Sequence, residues 1–130
     1  MTAAWHALDR LVSWPDLAEA QPSCGIGRAL RSTRAEIAHF HSGHNVDLHL
    51  TAGTIRRFEH DLRHSTAIRL MPGSHWVTVR LECEADVNLL MTLMSAALQA
   101  HLTRPEGAAV VPSPRCNDRR EAALSHRACL

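Results

Sequence analysis

Between Glu36 and Leu50 apolar and polar side chains alternate on either side of a short Ser42-Gly43-His44 interruption. Residues two apart in a strand share a face. Residues directly opposite on antiparallel neighbours point to the same side. Pairing Phe40 with Val46 and Ala38 with Leu48 therefore builds one apolar face, closed by a three-residue, glycine-containing turn of the kind hairpins use. The same register sets His39 beside Asp47, Ile37 beside His49 and His41 beside Asn45. A shift by one residue would face Phe40 with Asp47 and bury the histidines against Val46 and Leu48. Register follows the apolar pattern, so the first pairing is expected.

The rest of the chain falls into similar segments. Trp5, Leu8, Leu11 and Val12 recur at helical spacing, which predicts an amphipathic helix over 3–13, ended or bent by Pro15. Pro22 to Gly27 reads as loop and Arg28 to Arg31 as a short strand before a tight turn at Ser32–Ala35. Ala52, Ile55, Phe58 and Leu62 mark a second helix with Thr51 as its N-cap and a charged outer face. Ala67–Met71 and His75–Leu81 form a second hairpin around Pro72-Gly73-Ser74. There Val77, Val79 and Leu81 face the core, with Ile68 and Leu70 paired across from them, while Trp76, Thr78 and Arg80 face the other way. A third helix covers Glu84–Leu102, with Val87, Leu90, Met91, Met94 and Leu98 as its apolar stripe and acidic Glu84 and Asp86 at its N-terminal end. The pattern predicts an α+β fold: a mostly antiparallel sheet of two hairpins with three helices packed on one face. One domain is expected over 1–102. Residues 103–130, with three prolines and no sustained periodicity, are expected to form a disordered tail.

Composition narrows the classes of partner. The chain has 130 residues, enough for one modest core. All fourteen of its basic residues are arginine, which points to a GC-rich coding sequence and a bacterial source. A formal charge of +1 offers no concentrated basic stripe for nucleic acid. No apolar run reaches membrane-spanning length, and the opening Met-Thr-Ala-Ala-Trp-His lacks the features of a signal peptide. A cytoplasmic protein is expected. Cys24, Cys83, Cys116 and Cys129 show no CxxC spacing, so free thiols are expected rather than a disulfide framework.

The candidate chemistry lies on the polar side of the first hairpin. Four of the ten histidines fall within eleven residues, and the register collects His39, His41, Asp47 and His49 on one face. If the two hairpins share a sheet, Trp76, Thr78 and Arg80 extend that face. Imidazoles beside a carboxylate suit a general base oriented by its acid, a divalent metal with open positions, or a pocket for an organic ligand; they equally suit a plain polar sheet surface. The spacing matches no tight zinc motif, so no metal ligands are assigned and no cofactor is expected. His39, His41 and Asp47 are the candidate catalytic residues. His49, Trp76, Thr78 and Arg80 are the candidate contacts to a small-molecule ligand. Protein partners and oligomeric state stay open.

Four segments carry a resemblance: Pro22-Ser-Cys-Gly-Ile-Gly-Arg-Ala-Leu30, Glu36-Ile-Ala-His-Phe-His41, Val46-Asp-Leu-His-Leu-Thr51 and Pro72-Gly-Ser-His-Trp-Val-Thr-Val79. Together they resemble the small bacterial proteins of the luciferase family, whose domain was first associated with fungal luciferases. The resemblance runs from about Ala4 to His101 and omits the tail. Fungal luciferases resemble this domain, add membrane-associated sequence, and oxidise a hydroxylated pyrone with molecular oxygen without a recognised metal or organic cofactor. By motif the resemblance extends to His39, His41 and Asp47. The His-His pair that many relatives carry before the Trp-Val strand is Ile68-Arg69 here. Two functions follow as expectations: a ligand-binding module using the polar face, and a cofactor-independent oxygenase in which His39 or His41 acts as base and Asp47 orients it; a metal-binding module is the further alternative and cuts across both.

Overall fold

The computed structural model describes residues 2–22 and 25–103. Its elements, in chain order, are α1 (Ala3–Leu11), β1 (Ala18–Ala20), β2 (Arg28–Arg31), β3 (Glu36–Phe40), β4 (Asn45–His49), α2 (Ala52–Arg57), α3 (Glu59–His64), β5 (Ile68–Leu70), β6 (Trp76–Arg80) and α4 (Glu84–Leu102). The expected tail falls outside the described residues from 104 onward. All six strands join one antiparallel sheet in the order β1-β2-β3-β4-β6-β5. The fold is α+β, with four helices where three were expected.

The hairpin register is the one the apolar pattern selects: Phe40 pairs with Val46, His39 with Asp47 and Ala38 with Leu48. The two hairpins are neighbours, because β4 pairs along its length with β6. On the apolar side Ala38, Phe40, Val46, Leu48, Val77 and Val79 join the core together with Ala4, Leu8 and Leu11 of α1 and Val87, Leu90 and Met94 of α4. Trp5 stacks on Phe40 with ring centroids 6.4 Å apart. The side-chain hydroxyl of Thr2 caps α1 by accepting from the Trp5 amide. Asp86, buried in the first turn of α4, accepts from the Glu82 amide at 2.9 Å and ties the helix start to the end of β6.

Three differences from the expectation have local causes. β1 is only three residues long, too short for a visible alternation. The second helix divides at Phe58, whose backbone (φ −109°, ψ 16°) leaves the helical region between α2 and α3. Its amide still donates to Thr54 and its carbonyl still accepts from Leu62, so the two short helices run on as a bent pair. Cys83, the one cysteine among the described residues, is disulfide-bonded, not a free thiol. A reducing cytoplasm would oppose that bond, so the bond and a cytoplasmic location pull in opposite directions. No helix among the described residues is long and apolar enough to cross a membrane.

Gly27 shows how closely β2 is applied to β3. It sits at φ +86°, and an added Cβ would collide with the Phe40 carbonyl oxygen, a rigid backbone atom. Gly73, at φ +74° in the second hairpin turn, has open space around it. Gly73→Ala should therefore cost only the left-handed backbone penalty, about 1–2 kcal/mol. Gly27→Ala should add displacement of packed backbone and cost roughly 3 kcal/mol or more. Urea unfolding of the two variants measures the difference; equal losses would contradict the close approach.

Candidate functional site

The polar side of the central strands is buried. Along β3, β4 and β6 successive residues are enclosed whichever way they point, and His39 and His49 have no exposed surface at all. Asp47, Trp76 and Thr78 are buried as well. The face expected from alternation thus exists, and its side chains face the interior. Taking polar groups out of water is costly unless they find hydrogen-bond partners, so the question is how these are bonded.

Asp47 lies at the centre. Its Oδ1 accepts from the Thr78 hydroxyl at 2.8 Å, the pairing that the β4–β6 register places side by side. Its Oδ2 stands 3.4 Å from His41 Nδ1, long for a hydrogen bond but close enough for the carboxylate to favour the proton on that nitrogen and leave Nε2 as the basic atom. His39, although directly across from Asp47, turns its Nε2 to Glu36 Oε2 at 2.9 Å. A His39–Asp47 couple is therefore not the pair the structure makes; His41–Asp47 and His39–Glu36 are.

Glu36 reaches His39 because of a bulge. β2 pairs Leu30 with Ala38 and then Arg31 with Glu36, passing over Ile37. An extra residue in one strand reverses the facing of what precedes it, so residues three apart come to share a side. The same irregularity turns Ile37 into the apolar core, away from the place beside His49 that strict alternation assigns it. Strict alternation excludes Glu36 from the polar face; only a bulge restores it, and the sequence carries no plain mark of one.

The rings form a continuous row. His41 meets His39 edge-on at 5.6 Å, His39 meets Trp76 at 4.8 Å, and Trp76 meets His49 at 5.1 Å. The row ends on His101, in the last turn of α4, whose Nε2 lies 3.0 Å from His49 Nδ1 and 3.2 Å from the His49 carbonyl oxygen. A carbonyl only accepts, so the simplest assignment puts the proton on His101 Nε2, shared with His49 Nδ1 as acceptor. His101 is missed by reasoning from strand pattern because it comes from a helix end distant in the chain. At the other end Arg80 donates from Nε to Glu82 Oε1 at 2.9 Å. On β5, Arg69 pairs with Thr78 and carries the same side of the sheet outward.

Burial holds the His39 imidazole below its ordinary pKa range; the neighbouring Glu36 carboxylate works against that shift without cancelling it. His39 is neutral at neutral pH and donates its Nε2–H to Glu36. Among the described residues, no group of three or more His, Cys, Asp or Glu side chains is placed to hold a metal ion.

Residues 34–97 match the family model of the luciferase domain. No curated protein and no solved structure matches the chain. The matched segment starts just before β3 and ends within α4, so it includes the whole polar row except His101.

Two outcomes test this bonding. Thr78→Val keeps the shape of the side chain but removes the donor to a buried carboxylate, and should cost about 1–3 kcal/mol in urea unfolding. The His39 shift has a defined sign: the folded-state pKa lies below the unfolded one, so its stabilisation is complete above about pH 6.5 and is lost as the pH falls through that value toward the folded-state pKa. Unfolding free energy measured down from neutral pH should fall less steeply in His39→Gln than in the parent; identical slopes would remove His39 from the acid response.

Proposed function

We propose that this chain, in which a luciferase-like domain is present, binds a small organic ligand against the polar row. His49, Trp76, Thr78 and Arg80 supply the ligand contacts. The observation that carries this reading is the burial of bonded polar side chains across three adjacent strands, β3, β4 and β6. Apolar residues of similar volume would hold such a sheet at least as well. Polar groups arranged with a shifted histidine among them are better accounted for by recognition or chemistry than by stability. Trp76, buried and flanked by two imidazoles, is the aromatic side chain against which this reading places a conjugated or cyclic ligand.

One observation favours a catalytic version of the same reading. The Asp47 carboxylate faces His41 Nδ1 and is itself held by Thr78, the arrangement of a base oriented by an acid. Such a base can take a proton from an electron-rich enol, leaving a carbanion that reacts with oxygen without a cofactor. In this version His41 is the base, Asp47 orients it, and His39 stands beside them as a neutral donor.

A fragment screen by protein-observed NMR on the full chain separates the two. A bound fragment should shift the Trp76 indole N–H and the imidazole signals of His39 and His49, and Trp76→Ala should weaken it about tenfold or more, the loss of one stacked ring. Oxygen uptake with the bound compound that disappears in Asp47→Asn, with binding retained, establishes the enzyme. If no fragment perturbs the row, both versions fail.

A further inference from the structure

His60 and His64 lie one helical turn apart on α3, an element that supplies no residue to the polar row. Residues four apart on a helix are neighbours on its surface. Leu62, between them in the chain, is buried and fixes the side that α3 turns to the core, while both histidines are exposed. Their ring centroids stand 4.3 Å apart, with the ring planes inclined by 36°.

One of the two rings is already oriented. His64 Nδ1 lies 2.7 Å from the His60 carbonyl oxygen. A carbonyl only accepts, so the neutral ring carries its proton on Nδ1 and leaves the Nε2 lone pair open. Histidines that ligate metals almost always donate their other ring N–H in this way, to a backbone carbonyl or a carboxylate, which fixes tautomer and ring plane. The His60 ring is held by no hydrogen bond among the described residues, and as an exposed side chain it turns about its own torsions to meet the same ion. The nearby cations have partners of their own. Arg63 is paired with Glu59 at 2.8 Å, and Arg57 lies over the Phe58 ring, 5.1 Å from its centroid.

We propose that His60 and His64 form a surface site for a late first-row divalent cation such as Zn²⁺, Ni²⁺ or Cu²⁺, held by two imidazole nitrogens. Imidazole suits these ions, whereas Mg²⁺ and Ca²⁺ prefer oxygen. His64 binds through Nε2. The pair supplies two ligands, fewer than the four of a closed structural site, so water fills the remaining positions and the ion exchanges with solvent. Affinity comes from joining the two groups: once one imidazole is bound, the other is presented to the same ion at high effective concentration.

The test is a titration of the full chain with zinc chloride, followed by NMR at the imidazole signals, with magnesium chloride at equal ionic strength as comparator. His6, exposed on α1 with no histidine three or four places away, is a single-imidazole reference in the same sample. His60 and His64 should shift together along one isotherm, at a metal concentration about tenfold or more below that needed for His6. Magnesium should shift neither. The nitrogen shifts of His64 should place the metal on Nε2 and the proton on Nδ1. His60→Gln and His64→Gln, both at exposed positions, should each reduce the remaining ring to the affinity of His6. Independent titration of the two rings, or binding no tighter than at His6, would overturn the site. So would a single variant that leaves the other ring's affinity unchanged. An equal response to magnesium would overturn it too, because it would report the charge of Glu59 and Asp61 instead of imidazole ligation.

Discussion

The side of the sheet on which each functional group falls depends on one pairing, Phe40 against Val46. A sheet has a side-chain period of two, so a slip of one residue here would exchange the two faces of β4 relative to β3. The slip is opposed on the apolar side, where Phe40, Val46, Leu48, Val77 and Val79 are all fully buried against α1 and α4. Exposing even one such side chain costs about 1.5–3 kcal/mol, and a slip would displace several at once. The core thus enforces the position of His41, Asp47 and His49, although none of them belongs to it.

Given that register, the polar side is a sequence of short, specific compensations. Thr78 and His41 serve Asp47, Glu36 serves His39, and His101 serves His49. Each partner comes from a different place: a neighbouring strand, the same strand across a bulge, and the far end of the longest helix. Strong coupling among such groups is expected where the local dielectric is low. It also means that the fold itself draws on these side chains, so a variant of Asp47 or His39 has to be read for folding before it is read for function.

How much of this was legible in the chain varies with the range of the interaction. The register of the first hairpin, the joining of apolar residues across the second and the limits of α4 at Glu84 and Leu102 follow from local alternation and helical spacing, and the structure agrees with them. Alternation also brings His39, His41, Asp47, His49, Trp76 and Thr78 to one face once β4 and β6 are neighbours. It does not report whether that face is buried, because a period of two distinguishes the faces without saying what lies over them. Glu36 and His101 were out of reach for separate reasons. The first needs an irregularity that inverts parity, and the second needs the tertiary path of α4. The pairing of His39 with Glu36 instead of Asp47 is a matter of rotamer and reach, which spacing along a strand does not encode.

The bulge and the pairing of β2 with β3 have a consequence for how portable this domain is. The segment 34–97 begins after β2 and stops short of His101. Cut out alone, it would turn β3 from an interior strand into a bare edge, with the backbone groups that now meet Arg28 to Arg31 left open and Phe40 stripped of Trp5 and Leu8. An exposed, apolar edge strand is a template for pairing with other chains. The segment that matches the family model is therefore not one that can be transplanted; α1 and the first two strands cover that edge and that ring.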